Sequence, residues 1–203
     1  MDSALPRYAT DELATKHPDE LLALLVHDED RAPLELIEEC ARRGEAILAG
    51  IDAILQDDGL WDDLSTGEWW LRFHMAMILG RLSSARAGGM LVTLMHRLDD
   101  ERDDDLQDWL AGWWPALFRN KPAAVMPELR ELAGDETHDW YIRSGALEAV
   151  LDSLMQHPNM APFIGRQLIQ QAPTARMAAG IQRPRPQGER QRHRTRVDLD
   201  PVH

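Results

Sequence analysis

Trp69-Trp70-Leu71-Arg72 and Trp140-Tyr141-Ile142-Arg143 nearly repeat each other, and each opens an apolar run of helical spacing that is followed by a second such run. One helix pair cannot bury its own apolar face, so repeated pairs must stack on their neighbours. The spacing therefore predicts stacked helix pairs. Ser65-Thr66-Gly67-Glu68 precedes the first copy and fits a capping box, in which the serine side chain accepts from a free backbone N–H and the glutamate reaches back to another. A helix is expected from there through Trp69, Trp70, Phe73, Met77 and Ile78 to Gly80, with a partner carrying Met90, Leu91, Leu94, Met95 and Leu98.

The same punctuation recurs on both sides. Pro18 suits a first helical turn, and Leu21, Leu22, Leu24 and Leu25 follow it as a short first helix ending at His27-Asp28-Glu29-Asp30. After Pro33, Leu34, Ile37, Cys40 and Ala41 lead to Gly44, then Ile47, Leu48, Ile51 and Leu55 to Asp57-Asp58-Gly59, which predicts the first helix pair. In the third pair Leu106, Trp109, Leu110, Trp113, Trp114 and Leu117 contain Pro115, where a missing N–H predicts a kink. Its partner runs from Asn120-Lys121-Pro122 through Val125, Met126, Leu129 and Leu132 to Gly134. A fourth pair begins near Thr137 with Trp140, Ile142, Ala146 and Val150, then continues through Phe163, Ile164 and Leu168 to Pro173. No stretch keeps the two-residue alternation of a half-buried strand, so the fold is expected to be all-α.

Composition sets the class. At 203 residues, 44% hydrophobic and a mean hydropathy of -0.41, the chain suits a soluble domain with a real core. No run approaches the roughly 20 apolar residues of a membrane-spanning helix, and Met1 to Thr10 lacks the basic end and apolar core of a signal peptide. A cytoplasmic location without membrane contact is expected. Cys40 is the only cysteine, which leaves no internal disulfide; beside Glu38 and Glu39 it reads as a packing residue whose thiol the carboxylates would keep protonated.

Charge divides the chain. Up to Thr174 there are 15 Lys and Arg against 32 Asp and Glu, and from Ala175 onward seven arginines face Glu189, Asp198 and Asp200. Residues 1–32 are expected as an N-terminal segment with a short helix, 33–173 as helical repeats, and 174–203 as a disordered Arg/Pro-rich tail with too few apolar residues to offset ordering.

Leu79-Gly80-Arg81-Leu82-Ser83-Ser84-Ala85-Arg86-Ala87, followed by Leu91, Leu94 and Leu98, resembles the turn and second helix of a HEAT-like repeat of the phycobilisome-lyase type. Tyr141-Ile142-Arg143-Ser144-Gly145-Ala146-Leu147-Glu148-Ala149-Val150 is similar to the first helix of the next repeat, and a proline such as Pro115 is familiar in that helix. The resemblance covers roughly residues 33–171. It implies a short right-handed α-solenoid of about four antiparallel helix pairs, although the spacing from Trp70 to Trp109 exceeds that from Trp109 to Trp140 and points to an irregular one. Such repeats serve scaffolds, adaptors, immunity-type inhibitors, lyases and a few enzymes alike, so the fold leaves the function open.

Chemistry leaves little trace. The eight histidines contain no pair three or four residues apart among themselves, so no zinc site is suggested. The His-Glu pairs of HEAT-repeat iron hydroxylases are absent, as are a Gly-rich phosphate loop and a Gly-x-Ser-x-Gly elbow. Ile54 occupies the first ligand position of the EF-hand spacing around Gly59. Asp99-Asp100-Glu101-Arg102-Asp103-Asp104-Asp105 reads as a solvated turn, and His74 as a partly buried helix residue. Adjacent helical residues point about 100° apart, so one member each of Trp69-Trp70 and Trp113-Trp114 is expected at the rim of its stripe, packing between repeats or meeting a partner. No catalytic, metal or cofactor residue is assigned.

The resemblance further implies that the second helices line a concave groove. Thr93, His96 and Arg97, then Glu128, Arg130 and Glu131, then Arg166, Gln167 and Gln170 remain after the apolar stripe is assigned. From these, Thr93, His96, Arg97, Glu128, Glu131, Arg166, Gln167 and Gln170 are the expected partner-binding residues. An acidic body steers a basic protein partner and repels nucleic acid except from the tail. The expected function is a non-catalytic binding module or scaffold; the alternatives are an immunity-type inhibitor of a basic active site, a lyase- or chaperone-like protein, and nucleic-acid contact through the tail. Oligomeric state is not legible.

Overall fold

The computed structural model describes residues 5–61, 65–101 and 104–156, and among these it is all-helical, without a strand. In order come α1 (Thr10–Thr15), α2 (Pro18–Asp28), α3 (Leu34–Arg42), α4 (Glu45–Gln56), α5 (Thr66–Arg81), α6 (Ala85–Glu101), α7 (Asp104–Leu110), α8 (Trp114–Phe118), α9 (Met126–Gly134) and α10 (Trp140–Gln156). No helix among the described residues is long and apolar enough to cross a membrane. The expected run through Phe163 and Leu168, the site residues Arg166, Gln167 and Gln170, and the tail from 174 all lie outside the described residues.

Local chemistry sets the helix ends. The His17 ring accepts the Asp19 N–H while the Glu20 carboxylate accepts the His17 N–H, which starts α2 with Pro18 in its first turn. Ser65 and Glu68 form the expected capping box at the head of α5, and the serine's bonds hold the Glu68 carboxyl below its usual range. Gly44, at φ +55°, makes the left-handed turn between α3 and α4. Pro115 ends continuity more sharply than a kink. The chain leaves α7 through a 3-10 turn, Ala111–Trp113, and restarts as α8 with the proline in its first turn, where a helix does not use the residue's N–H.

Helix α5 is the centre, packed by α2, α3, α6 and α8. Leu71, Met75, Ala76, Ile78 and Leu79 are buried on it, together with the Arg72 guanidinium, which donates to the Glu68 and Leu60 carbonyls over the Trp61 ring. Gly67 admits the closest approach: a β-carbon there would lie 2.2 Å from the backbone oxygen of Val26. Helix α4 packs on α6 and α6 on α9, while α3 packs on α5, α5 on α8 and α8 on α10.

Two pairings differ from the expected ones. Helix α4 packs chiefly on α2 and α6 rather than on α3, and α9 packs most heavily on α10. For α4 the cause lies in α2, whose Leu21 and Leu25 are fully buried in a core cluster that extends from Leu13 to Val150. Leu13 of α1 and Leu21, Leu22 and Leu25 of α2 thus belong to the same hydrophobic core as the later helices. Covering α4 with α2 removes the apolar surface that α3 would otherwise have taken there, and α3 packs on α5 instead.

Candidate functional site

Thr93 and His96 on α6 and Glu128 and Glu131 on α9, four of the residues expected to bind a partner, line one cavity of about 370 Å³. Val92, Leu132 and Gly89 complete its floor, and Asp135 and His138 close it from the turn between α9 and α10. Helix periodicity explains the shared face: Gly89, Val92, Thr93 and His96 are three or four residues apart, as are Glu128, Glu131 or Leu132, and Asp135. The Thr93 hydroxyl donates to the Gly89 carbonyl at 3.2 Å.

The turn is fastened to α6 by a single carboxylate. His138 Nδ1 lies 2.6 Å from Asp99 Oδ2, and Asp99 Oδ1 accepts the Asp139 N–H at 2.9 Å. A carboxylate can only accept, so Nδ1 carries the proton and Nε2 is left toward Asp135, with Oδ2 at 3.7 Å. The Asp135 carboxyl itself is held below the usual range by the Thr137 N–H and hydroxyl that donate to it. The His96 and His138 rings meet edge to face, 4.9 Å between centroids. Three carboxylates and an imidazole nitrogen thus line one opening, a set able to accept hydrogen bonds from several N–H donors at once. Among the described residues no three His, Cys, Asp or Glu side chains are arranged to hold a metal ion.

Arg97 is not part of this cavity. Its Nε donates to the Leu55 carbonyl at 2.9 Å and its guanidinium pairs with Asp58 at 2.6 Å, beside Trp61, so it ties α6 to the end of α4. The run starting at Asp99 is also not the expected loop at its head, because α6 continues to Glu101. Asp99, Asp135 and His138 are the residues that sequence reasoning missed. Their signal is present: Asp99 follows His96 by three positions and His138 follows Asp135 by three, two His-carboxylate pairs that a search for His-His spacing passes over.

The other singled-out residues fall as follows. Trp114 is 1% exposed and Trp113 is 50% exposed, the division expected of one pair. Trp69 and Trp70 are both half-buried, meeting each other and Trp109 edge to face at 5.0, 6.3 and 5.3 Å between ring centroids. His74 is buried, its Nε2 2.8 Å from the Glu29 carbonyl, and burial depresses its pKa. Burial pushes the Cys40 thiol up to about 12; the cause is desolvation rather than the neighbouring glutamates, and Arg43 pulls the other way. No family model, no curated protein and no solved structure matches this chain.

Proposed function

We propose that the chain is a short HEAT-like solenoid that binds a basic protein partner, without chemistry of its own, and that the α6–α9 cavity takes one of the partner's arginine or lysine side chains. The observation that carries this reading is the convergence of Glu128, Glu131 and Asp135 with the His138 imidazole around one cavity of side-chain size. The packing of α4 on α6 and α6 on α9, and of α3 on α5, α5 on α8 and α8 on α10, supports stacked helix pairs; the right hand of the solenoid is what the HEAT-like resemblance implies. The acidic balance of the first 174 residues supports rapid, salt-sensitive association with a basic surface.

Capture from a cytoplasmic lysate of the source cells at low and high salt tests it, comparing the full chain with the double variant Glu128→Lys, Glu131→Lys. Both positions are exposed on α9, so the exchange leaves the core alone. A single protein held by the unaltered chain, weakened by salt and lost with the variant is the expected result. Equal retention by both chains, or retention of nucleic acid alone, overturns the reading.

A further inference from the structure

Beside the turn that closes the acidic cavity is a second opening with which it shares no lining residue. This cleft, about 310 Å³, lies between Ala111-Gly112 and the first turns of α10, with Ser144 and Gly145 along it, Trp140 and Tyr141 as walls, and Glu148 on its rim. The two aromatic rings stand at 89° with centroids 5.1 Å apart, so they form a corner. Trp140 is 69% exposed at the first position of α10, where a polar residue would serve the helix as well and would not leave a large apolar ring in water.

Gly112 separates a built cleft from a packing defect. A β-carbon on Gly145 would strike the Trp114 ring at 2.5 Å, so the core demands that glycine. A β-carbon on Gly112 would meet nothing within 4 Å, and packing does not ask for its small size. Gly112 lines the cleft with open space around it, so a long side chain there has room to enter it. The charge nearby is negative: Glu148 is exposed on the rim, and the Tyr141 hydroxyl bonds the Asp108 carboxylate, which raises the phenol's pKa and keeps the ring neutral with an electron-rich face. Two ring faces at a right angle and a carboxylate at the mouth attract a cation whose charge is spread over alkyl or guanidino groups.

We propose that this cleft is a binding site for one organic cation, an arginine or methylated lysine side chain presented by a protein partner, held between Trp140 and Tyr141 with Glu148 as counter-charge. The inference rests on the reading of the chain as a binder of basic proteins and says where a second of the partner's cations goes. Its volume is at the small end for ligand sites and matches a side chain better than a cofactor.

The test needs no partner. The full chain carrying ¹⁵N-labelled indoles is titrated with N-acetyl-arginine amide, N-acetyl-trimethyllysine amide and the neutral N-acetyl-norleucine amide, with Trp140→Phe used to assign the Trp140 indole N–H signal. The expected result is a saturable shift of that signal by at least one of the two cations, at least tenfold weaker binding of norleucine amide, and loss of the response in Gly112→Leu, which fills the cleft from a position with open space around it. No saturable shift with either cation, equal binding of the neutral compound, or full binding by Gly112→Leu overturns the proposal. If the titration fails while the Glu128→Lys, Glu131→Lys exchange still abolishes capture, only the cleft is wrong; the opposite outcome leaves the cleft and removes the acidic cavity as the partner's docking point.

Discussion

Alanine at Gly67 should destabilise this protein although alanine is the better helix former. In the first turn of α5 the exchange gains at most about 1 kcal/mol of helix propensity. Against this, the new β-carbon would lie 2.2 Å from the Val26 backbone oxygen and 3.0 Å from its carbonyl carbon, and ordinary contact begins near 3.4 Å. A backbone oxygen has no rotamer to escape into, so α2 and α5 must separate by about 1 Å across a packed interface. Overpacking of this kind costs about 1–3 kcal/mol, and after the propensity gain the net loss should be about 1 kcal/mol. With a urea slope of about 2 kcal/mol per molar, the unfolding midpoint falls by about 0.5 M. Gly134→Ala is the comparison: the residue is exposed in α9 and a β-carbon there meets nothing within 4 Å, so that variant should gain about 0.5–1 kcal/mol. Urea unfolding followed by circular dichroism reads both. If Gly67→Ala unfolds at or above the parent midpoint, or if both variants shift the same way, the close approach of α2 and α5 is refuted.

Lys121 donates to the Gly80 carbonyl at the end of α5, and burial pulls its ammonium down to about 8. The folded state therefore bears a penalty below pH 8 that fades as pH rises toward the free value of 10.5. Urea unfolding should show the parent gaining on Lys121→Met between pH 8 and 10, by up to about 3 kcal/mol before solvent screening is discounted. Comparing the two cancels Cys40 and Tyr8, both pushed up to about 12, which act in the opposite sense at high pH; a constant difference would count against the buried ammonium. Cys40, buried and protonated at pH 8, should react with a thiol-specific disulfide reagent orders of magnitude more slowly than a free cysteine until urea unfolds the chain, and a rapid native-state reaction contradicts its burial. Asp99→Asn should cost about 1–3 kcal/mol by weakening the bonds to His138 and Asp139, whereas Asp100→Asn, on the exposed side, should be nearly neutral; equal thermal midpoints would show that Asp99 does not fasten the turn.

Much of the architecture was legible because its signals are local. Ser65 and Glu68, Pro18 and Gly44 mark helix ends through bonds within one turn, and the runs of leucine and isoleucine report one buried face. Which helix packs on which was less legible. Helix α2 takes the face of α4 expected for α3 while both pack on α5, and that choice depends on close approaches such as Gly67 to Val26 that no periodicity encodes. The same limit applies to the cavity. Thr93, His96, Glu128 and Glu131 could be placed on helix faces one at a time, but Asp99 and His138 are 39 positions apart and meet only in the fold, and Arg97, one residue beyond His96, is drawn to Asp58 instead.

The central position of α5 also has a consequence for synthesis. As the chain leaves the ribosome, α2 and α3 are already available when α5 emerges, so one side of it is covered at once. The other side waits for α6 and then α8, and Phe118 follows Arg81 by 37 residues. At translation rates of about 5–20 residues per second, that apolar side stays uncovered for roughly 2–7 s. During this interval the nascent chain presents a ready target for a chaperone or for another nascent chain, so pausing codons between positions 82 and 118 would lower yield more than the same codons placed after α8.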